Sequence, residues 1–433
     1  MKNYRFLVPL VMVLMLAVSI YVLADDKAST QNEYNTYLEI ARDYREQDIF
    51  IDAEKNYLLA IDVNPNLDLY LELGSLYVEQ GLPQMSKKLS RNLLEMYPAD
   101  AGSYEYALQL YQAKGDYIEC YDLIDTMRKR NIHSEYMEQL ALNIEYMYYF
   151  TGEYDSVSVF GGGMCPVARE DKWGFVDMLG TRFVGLKYVE VGPFSGGLAP
   201  VVEENGDAYF IDTQGNKKKV ILNVDNIVKL GLIENNVFAL YNGENWGFYD
   251  GDGNHLFGAY QETSNIGNGV AAVYTGSGWQ LVGYDGKDLT GKTYEGVHMD
   301  EKLIVHRNDR IFVKAGNGYQ MIDNTGKVYS KHTYEDVRLF NDTTYAAVKI
   351  NDLWGFVNKN GDIVIEPQYE DARSFSNGFA AVKVEGLWGY INIEGQMVIH
   401  NEFVDAKDFT TRGTAFVMIE DEWELLKLYK YNH

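Results

Sequence analysis

Few residues in this sequence mark a cross-linked or metal-binding site. Among 433 residues there are two cysteines, Cys120 and Cys165, and seven histidines. A single pair of cysteines cannot form a disulfide framework, so one bridge and two buried thiols are the alternatives. The histidines show no spacing typical of metal ligands. We therefore predict neither a metal nor a cofactor.

Catalytic signatures are missing as well. The chain contains no G-x-S-x-G elbow, no phosphate-binding P-loop, no H-E-x-x-H and no C-x-x-C pair. The segment 250–254, D-G-D-G-N, is similar to the start of a calcium loop, but the carboxylate that would complete such a loop does not follow, and we interpret the segment as a β-turn. No catalytic residue is assigned. The sequence predicts that the protein is not an enzyme.

Positive charge is also in short supply. The chain has 38 lysines and arginines against 63 aspartates and glutamates, which gives a net charge of −25 at pH 7. Proteins that bind nucleic acid need clustered basic side chains to neutralise phosphates. The composition therefore predicts no nucleic-acid partner, and such a charge is typical of a protein that self-repulsion keeps soluble.

What the sequence does have is a repeat that fills its second half. Trp-Gly dipeptides and their altered copies recur every 33 to 40 residues, at Trp173-Gly174, Ala208-Tyr209, Trp246-Gly247, Trp279-Gln280, Tyr319-Gln320, Trp354-Gly355, Trp388-Gly389 and Trp423-Glu424. Each of the eight units predicts three short strands: an apolar run, the strand with the tryptophan, and a strand that begins with an aromatic residue in the pattern Y-x-x-A/V. Before the third strand an Asp or Asn precedes a Gly by three residues, as in Asp177 and Gly180, which is typical of a hairpin turn.

The tryptophans have two interpretations. A ring can fill the space between neighbouring units while the adjacent glycine lets the backbone of the next unit approach, which makes both residues structural. The alternative is that some rings stack on sugars in a groove. We favour the structural interpretation for Trp173, Gly174, Trp246, Gly247, Trp279, Trp354, Gly355, Trp388, Gly389 and Trp423. Ligand-binding residues remain unassigned, and the variable hairpin tips, such as 170–172 and 384–386, are where we would look for them.

The repeat units resemble the bacterial WG (KWG) repeat over residues 154–430. The resemblance implies a β-rich array, found in bacterial proteins of undetermined biochemical role. Residues 154–160 match the third-strand segment of other units, whereas the unit at Trp423 has no third strand after it. The first strand of the array could therefore complete its last unit and remove both exposed edges. We expect a closed, propeller-like ring, with an open β-solenoid as the alternative.

Residues 30–150 differ from the repeat region. Glycine is sparse there, and apolar residues fall at helical spacing. The order of small and large residues, with Ala41 and Tyr57 in one copy and Gly74 in the next, resembles tetratricopeptide repeats. A third copy is weaker, and a helix near 134–150 would close the stack. The resemblance implies an α-helical solenoid that presents a groove to a peptide or protein.

Residues 1–24 have the features of an export signal. Lys2 and Arg5 precede an apolar run at 6–23, which predicts either a cleaved signal peptide or a signal anchor in the membrane. Either outcome places the chain from Asp25 onward outside the cytoplasmic membrane, anchored or secreted.

These features together predict an α + β multidomain protein: an N-terminal segment (1–24), a tetratricopeptide-like helical domain (30–150) and a WG-repeat β domain of eight units (154–430). They favour a non-enzymatic binding or scaffold protein with a protein or peptide partner at the bacterial cell envelope. One alternative is a carbohydrate-binding protein that uses aromatic residues of the β array, with wall glycan as its ligand. The least favoured alternative is a cell-wall hydrolase.

Overall fold

The computed structural model describes residues 27–218, 227–342 and 344–430 of the chain. The chain divides into two compact units, Met1–Glu145 and Tyr146–His433, and each is described by itself. None of the helices in the described ranges combines the length and apolar character needed to span a bilayer. The predicted signal peptide or anchor, residues 1–24, lies outside the described residues.

The first unit is helical. Its described part contains seven helices: α1 (27–46), α2 (Phe50–Val63), α3 (Leu67–Glu79), α4 (Pro83–Met96), α5 (Ala101–Lys114), α6 (Tyr117–Lys129) and α7 (Glu135–Ile144). The side chain of Asn66 accepts the backbone N–H of Leu69 at 3.1 Å and so caps α3, and Ser134 caps α7 through Met137 in the same way. Helix α5 ends at Lys114 and is capped by Gly115, whose φ of 73° is the left-handed conformation that terminates many helices.

Small residues set the distance between these helices. Ala41, Ala60 and Tyr57 are fully buried in the core that α1 to α4 share. Gly74 on α3 lies against the ring of Tyr106 on α5, where an added Cβ would come within 2.7 Å of the ring. The Tyr106 hydroxyl also donates a hydrogen bond to the Gly74 carbonyl at 3.2 Å. The alternation of small and large residues thus governs helix packing, while its tetratricopeptide-like character stays a prediction.

The second unit is built of β-strands. Its described part forms eight sheets in which neighbouring strands are antiparallel. The first sheet contains β2 (Ser156–Val157), β3 (Met164–Arg169), β4 (Lys172–Asp177) and β5 (Phe183–Tyr188), and the second contains β6 (Glu190–Val191), β7 (Leu198–Val202), β8 (Ala208–Asp212) and β9 (Lys217–Lys218). The third contains β10 (Lys229–Leu230), β11 (Val237–Tyr241), β12 (Trp246–Asp250) and β13 (His255–Tyr260), and the fourth contains β14 (Ala271–Tyr274) and β15 (Trp279–Val282). The fifth sheet contains β16 (Gly296–Val297), β17 (Ile311–Ala315) and β18 (Gly318–Ile322), and the sixth contains β19 (Asp336–Val337), β20 (Ala346–Ile350), β21 (Leu353–Val357) and β22 (Ile363–Tyr369). The seventh contains β23 (Asp371–Ala372), β24 (Phe379–Val384), β25 (Leu387–Asn392) and β26 (Met397–Phe403). The eighth contains β27 (Asp405–Ala406), β28 (Thr414–Ile419), β29 (Glu422–Leu428) and β1 (Tyr148–Tyr154).

Each sheet packs its two faces on the sheets before and after it. The core of the described ring consists of apolar layers, one between each pair of successive sheets. On β24, Ala380 and Val382 pack toward the sixth sheet, whereas Phe379 and Ala381 pack toward the eighth. Successive residues of a strand point to opposite faces, and both faces are covered by neighbouring sheets. The strand before the tryptophan strand, such as β24, therefore has a nearly continuous apolar sequence.

The ring is closed by β1, the strand that precedes all the others in the chain. It pairs with β29 along its whole length and completes the eighth sheet. That sheet then packs on the first, where Phe416 and Leu425 share a buried cluster with Cys165 and Val176. The predicted closed, propeller-like ring is therefore confirmed. Closure pairs the outer edge of the last sheet, which would otherwise be an exposed edge.

Two local predictions are wrong. The sequence pattern predicts a helix up to residue 150, but α7 ends at Ile144 and Phe150 lies in β1. There its apolar ring is needed for packing on Phe403 of the seventh sheet. The pattern Y-x-x-A/V predicts the start of a third strand, whereas in the structure the aromatic residue is the last one of that strand. Tyr369 ends β22, and Ala372 already belongs to the next sheet. The pattern marks the passage from one sheet to the next.

The predicted hairpin turns are present. In the first sheet the N–H of Gly180 donates to the carbonyl of Asp177 at 3.0 Å, and the Asp177 side chain accepts the N–H groups of Leu179 and Thr181. Gly180 has a φ of 69°, which favours glycine at this position. The same turn occurs at Asp250 and in four further units, which explains the resemblance of residues 250–254 to a calcium loop.

Candidate functional site

The repeated tryptophans lie in the layers between sheets. Trp354 stands opposite Tyr369 on the neighbouring strand, and Trp388 stands opposite Phe403, so the aromatic residue of the pattern Y-x-x-A/V is a cross-strand partner of the tryptophan. Trp354, Trp388 and Trp423 are 4%, 7% and 6% exposed. Trp173, Trp246 and Trp279 are partly buried against the same kind of layer. All six rings therefore contribute to packing between neighbouring sheets.

The glycine after the tryptophan allows a close approach within one sheet. A Cβ added at Gly355 would lie 2.7 Å from the Ile365 carbonyl oxygen, and at Gly389 it would lie 2.6 Å from that of Ile399. The outer strand bulges at these points, because its register with the tryptophan strand shifts there. Gly174 faces the Val184 carbonyl in the same way. The backbone that approaches belongs to the same unit and not, as the sequence suggests, to the next one.

A cavity of about 800 Å³ lies at the centre of the ring. Residues from the first, fifth, sixth, seventh and eighth sheets line it, which places it where these sheets converge. Its wall includes the apolar side chains of Phe160, Trp388, Phe409 and Met418. The hairpin-tip residues 170–172 and 384–386 are absent from this wall. A pocket of this size with apolar and charged groups has the dimensions of a ligand site.

Four charged or titratable side chains reach this cavity from one repeat position. His298, Arg338, Arg373 and Lys407 each follow the Ala or Val of the pattern Y-x-x-A/V in four consecutive units, and all four line the cavity. The equivalent residues of three other units are small: Ser158, Gly192 and Ser264, the last of which follows Thr263 in place of Ala or Val. One half of the ring thus presents basic side chains toward the centre.

Neighbouring units are joined by ion pairs at this position. Arg338 lies 3.5 Å from Asp336 of its own unit and 3.5 Å from Asp371 of the next. Arg373 lies 3.9 Å from Asp405, which also belongs to the following unit. The carboxylate two residues before the basic side chain therefore bridges adjacent sheets beside the cavity.

A carboxylate from across the ring completes the cluster. Glu301, in the loop after β16, lies 2.7 Å from Nη1 of Arg373 and 3.3 Å from Nζ of Lys407. Burial alone would raise the pKa of Glu301, but Arg373 and Lys407 outweigh burial and hold that pKa below its usual range. Glu301 is thus an anion held by two cations from the seventh and eighth sheets.

Two buried polar atoms of the cluster have no hydrogen-bond partner in the part of the chain that the structure describes. Oδ2 of Asp408 accepts a hydrogen bond from Asn341 at 2.9 Å, but its Oδ1 has no hydrogen-bond partner among the described residues, and neither has Nε of Arg373. Burial raises the pKa of the Asp408 carboxyl, and Arg373 only partly opposes that rise. The wall of the cavity thus rests on a donor and an acceptor that the described residues leave unsatisfied.

Two lysines of the cavity wall are unpaired. Among the described residues, neither the ammonium group of Lys302 nor that of Lys383 has an ion-pair or hydrogen-bond partner. Burial and the neighbouring Arg307 lower the pKa of Lys302. Burial, with a smaller effect of Arg338, lowers the pKa of His298 to about 4, so this imidazole is neutral at pH 7. The free positive charges of the cavity are therefore lysines.

The helical unit has a smaller cavity of its own. It measures about 280 Å³ and lies among α3, α4 and α5, with Tyr77, Leu94 and Leu110 in its wall. Lys87 and Arg91 stand at its rim. This apolar groove with a basic rim lies in the part of the chain where the sequence predicts a groove for a peptide or protein.

The structure offers no metal centre in its described ranges, since no group of three or more His, Cys, Asp or Glu side chains is arranged to hold an ion there. Cys120 and Cys165 are both free and buried. Burial raises the pKa of each thiol, to about 11 for Cys120 and higher for Cys165, which keeps both protonated at neutral pH. Of the two alternatives for the cysteines, the structure has buried thiols.

The sequence reasoning missed the central cavity, although a signal for it exists. The basic residue after Y-x-x-A/V recurs in consecutive units, and a closed ring would bring these positions together at its centre. Glu301, Lys302 and Asp408 have no such signal, because they lie in loops of irregular sequence. Only the folded ring brings Glu301 and Asp408 beside Arg373 and Lys302 into the same cavity wall.

The comparison with protein families identifies the repeat. The family described as "WG containing repeat" matches residues 173–206, 321–354, 354–388 and 388–423. The prediction of WG repeats is confirmed by these matches, and the second unit is a propeller that contains them. No curated protein sequence is similar enough to this chain to count as a match.

Solved structures similar to the chain are distant. BamB from Moraxella catarrhalis is 11% identical, with a TM-score of 0.42 over 65% of this chain and 100% of that one. A eukaryotic initiation factor is 12% identical, with a TM-score of 0.41 over 65% of this chain and 86% of that one. Hsv2p from Kluyveromyces lactis is 9% identical, with a TM-score of 0.36 over 56% of this chain and 93% of that one.

Proposed function

We propose that the chain is a non-enzymatic binding or scaffold protein of the bacterial cell envelope and that the central cavity of the propeller is its ligand site. The observation that carries this proposal is the cavity, which combines about 800 Å³ of space with two lysines, Lys302 and Lys383, that have no ion-pair partner among the described residues. Cations without a partner in a cavity of ligand size are suited to hold an anionic guest.

The chemistry of the cavity favours recognition over catalysis. Most of its carboxylates are engaged by arginines or lysines, as Glu301 is by Arg373 and Lys407. His298, the one imidazole in the wall, is neutral at pH 7 and lies beside the cationic Arg338. Such an array fixes the position of charges and has no activated nucleophile.

The helical unit supports the proposal that the partner is a protein or a peptide. Its groove among α3, α4 and α5 offers apolar side chains behind a basic rim. A tetratricopeptide-like solenoid would use such a surface to bind a peptide segment. Two binding surfaces in one chain are suited to a scaffold.

The location outside the cytoplasmic membrane is part of the proposal as well. It is supported by Lys2 and Arg5 ahead of the apolar run at 6–23. Cleavage or anchoring of that segment would both leave the two units on the outer side of this membrane.

Co-sedimentation with isolated cell envelopes tests the proposal. Residues 25–433, which include every described residue, are mixed with envelopes before and after exhaustive protease treatment. The variant Lys302→Gln/Lys383→Gln removes the two unpaired cavity cations without breaking an ion pair, and Lys229→Gln/Lys314→Gln is its control, because both of these lysines are exposed outside the cavity.

We expect binding that protease treatment abolishes and that the cavity variant weakens about tenfold, with no loss in the control. Binding that survives protease treatment would make wall glycan the ligand. Equal binding by both variants would remove the central cavity from the proposal, and absence of binding to any envelope would contradict the proposed function itself.

A further inference from the structure

We propose that the central cavity binds the carboxylate side chains of an acidic polypeptide segment and that Glu301 is an internal carboxylate with which this segment competes. The inference rests on the proposed binding function and names the chemistry of the ligand.

Glu301 shows which group the cavity recognises. Arg373 and Lys407 come from two consecutive units, and both direct their charges at the same carboxylate, with the Arg373 contact at 2.7 Å. Pairing of arginine with a carboxylate is directional and strong. The position between these two cations is therefore a carboxylate site, which a residue of the same chain occupies.

The internal carboxylate is held by a fixed turn but is itself accessible. Asp300 accepts the backbone N–H groups of Lys302 and Ile304 at 2.9 Å each, and these bonds define the loop. The side chain of Glu301 is 43% exposed, compared with 19% for Arg373. Glu301 can therefore turn into the open cavity while the loop keeps its shape, leaving Arg373 and Lys407 to an incoming carboxylate.

The unpaired lysines extend the site beyond one carboxylate. Lys302 is adjacent to Glu301, and Lys383 lies on β24 of the seventh sheet, so the wall has two further cations without a partner among the described residues. Several separated cations fit a segment with several carboxylates better than one small anion. The apolar wall at Phe160 and Phe409 accommodates the backbone and methylene groups of such a segment.

Charge over the whole molecule makes the site selective. The cavity wall has six lysines and arginines against five aspartates and glutamates, whereas the chain as a whole carries a net charge of −25. An acidic segment is therefore repelled by most of the surface and attracted where the balance is reversed. Because the helical groove also has a basic rim, binding is assigned to the cavity by the effect of substitutions in the cavity wall.

The test uses defined probes and isosteric variants. Fluorescein-labelled hexaglutamate, hexaglutamine and inorganic polyphosphate are titrated against residues 25–433, and dissociation constants are measured by fluorescence anisotropy. Glu301→Gln keeps the shape of the side chain and removes its charge. Glu394→Gln makes the same change at an exposed residue that lies away from the cavity.

We expect hexaglutamate to bind, hexaglutamine to bind at least tenfold more weakly, and Glu301→Gln to tighten hexaglutamate binding by roughly five- to tenfold. The control variant should match the wild type, and Lys302→Gln/Lys383→Gln should weaken binding by a similar factor. Thermal melting of each variant establishes that it is folded.

Three results would overturn the inference. Equal affinity for hexaglutamate and hexaglutamine would show that carboxylates are not recognised. No gain of affinity in Glu301→Gln over Glu394→Gln would show that Glu301 does not compete. Tighter binding of polyphosphate than of hexaglutamate would assign the site to phosphate. In each case envelope binding reports separately on the proposed function.

Discussion

At the scale of single residues, the glycine of the repeated dipeptide has a role that the tryptophan does not share. The carbonyl groups of Val184, Ile365 and Ile399 occupy the space that a side chain would need at Gly174, Gly355 and Gly389. The bulged outer strand depends on this space. The tryptophan, in contrast, fills a layer between sheets where another large ring can replace it, as Tyr319 does.

Replacement of Gly389 by alanine should therefore be costly. The new Cβ would lie 2.6 Å from the Ile399 carbonyl oxygen, so the outer strand must move. We expect the free energy of unfolding to fall by about 2 to 4 kcal/mol, measured by urea denaturation. Gly185→Ala is the control, since nothing lies within 4 Å of a Cβ there. Equal stability of the two variants would contradict this role of the glycine.

His298 should make stability depend on pH. Its pKa is lowered to about 4 by burial and by Arg338, with Asp336 and Asp300 acting in the opposite direction. Between about pH 6.5 and pH 4 the unfolded chain binds a proton at this residue that the folded chain does not, so acidification through this window destabilises the fold. The contribution is at most about 3 kcal/mol.

The measurement is the free energy of unfolding of His298→Asn between pH 4 and pH 7. We expect a flatter pH dependence than in the wild type, with the difference confined to that window. His332→Asn, at an exposed histidine, should follow the wild type. A slope unchanged by the His298 substitution would mean that this imidazole is not held neutral by its surroundings.

At the scale of elements, the strand that matters most to the propeller is β1. It supplies the outer edge of the eighth sheet although it precedes the first sheet in the chain. Phe150 is its anchor, because its ring packs edge-on against Phe403 at 6.3 Å and against Tyr148 at 5.4 Å. Loss of this anchor should loosen the closure of the ring.

We expect Phe150→Ala to lower the free energy of unfolding by about 2 kcal/mol, less than for a fully buried phenylalanine because this ring is only partly buried. Hydrogen exchange should also speed up at the backbone amides of β29 before it does elsewhere. Glu153→Ala, on the exposed side of the same strand, is the control. If both variants exchange alike, β1 does not hold the closure.

The elements also show how far the sequence could predict the fold. The Asp or Asn three residues before Gly predicts six of these turns, because the local chain alone determines that geometry; the turn at Gly283 and Gly286 lacks this residue. The pattern Y-x-x-A/V was placed at the start of a strand, although Tyr369 ends one. That error arises because the two-residue strand after it is defined only by its partner strand, as Ala372 is by Val382. Pairing between strands cannot be seen in a single repeat.

At the scale of the whole molecule, the central cluster was out of reach of sequence reasoning for a related reason. Glu301 contacts Arg373 and Lys407 at sequence separations of 72 and 106 residues. Such contacts depend on the angle between neighbouring sheets and on the number of sheets that close the ring. The repeat predicted that a ring exists, but not which loops meet at its centre.

The net charge should make the stability of the whole chain depend on salt. A charge of −25 repels itself in the compact state. Raising NaCl from about 10 mM to about 150 mM shortens the screening length from roughly 30 Å to roughly 8 Å. We expect the melting temperature to rise by roughly 2 to 5 °C. Choline chloride at equal ionic strength should act alike, and a fall in melting temperature would show that attractive ion pairs dominate.

The position of β1 in the chain has a consequence for synthesis. A ribosome makes this strand before any of the sheets, yet its partner β29 is made after all of them. During translation β1 has no strand to pair with until β29 is made. Each new sheet can pack on the sheet before it while the ring stays open. Closure of the ring is therefore the last step of assembly during translation. A chaperone or export factor that binds unpaired strands can bind β1 for as long as the rest of the propeller is being synthesised.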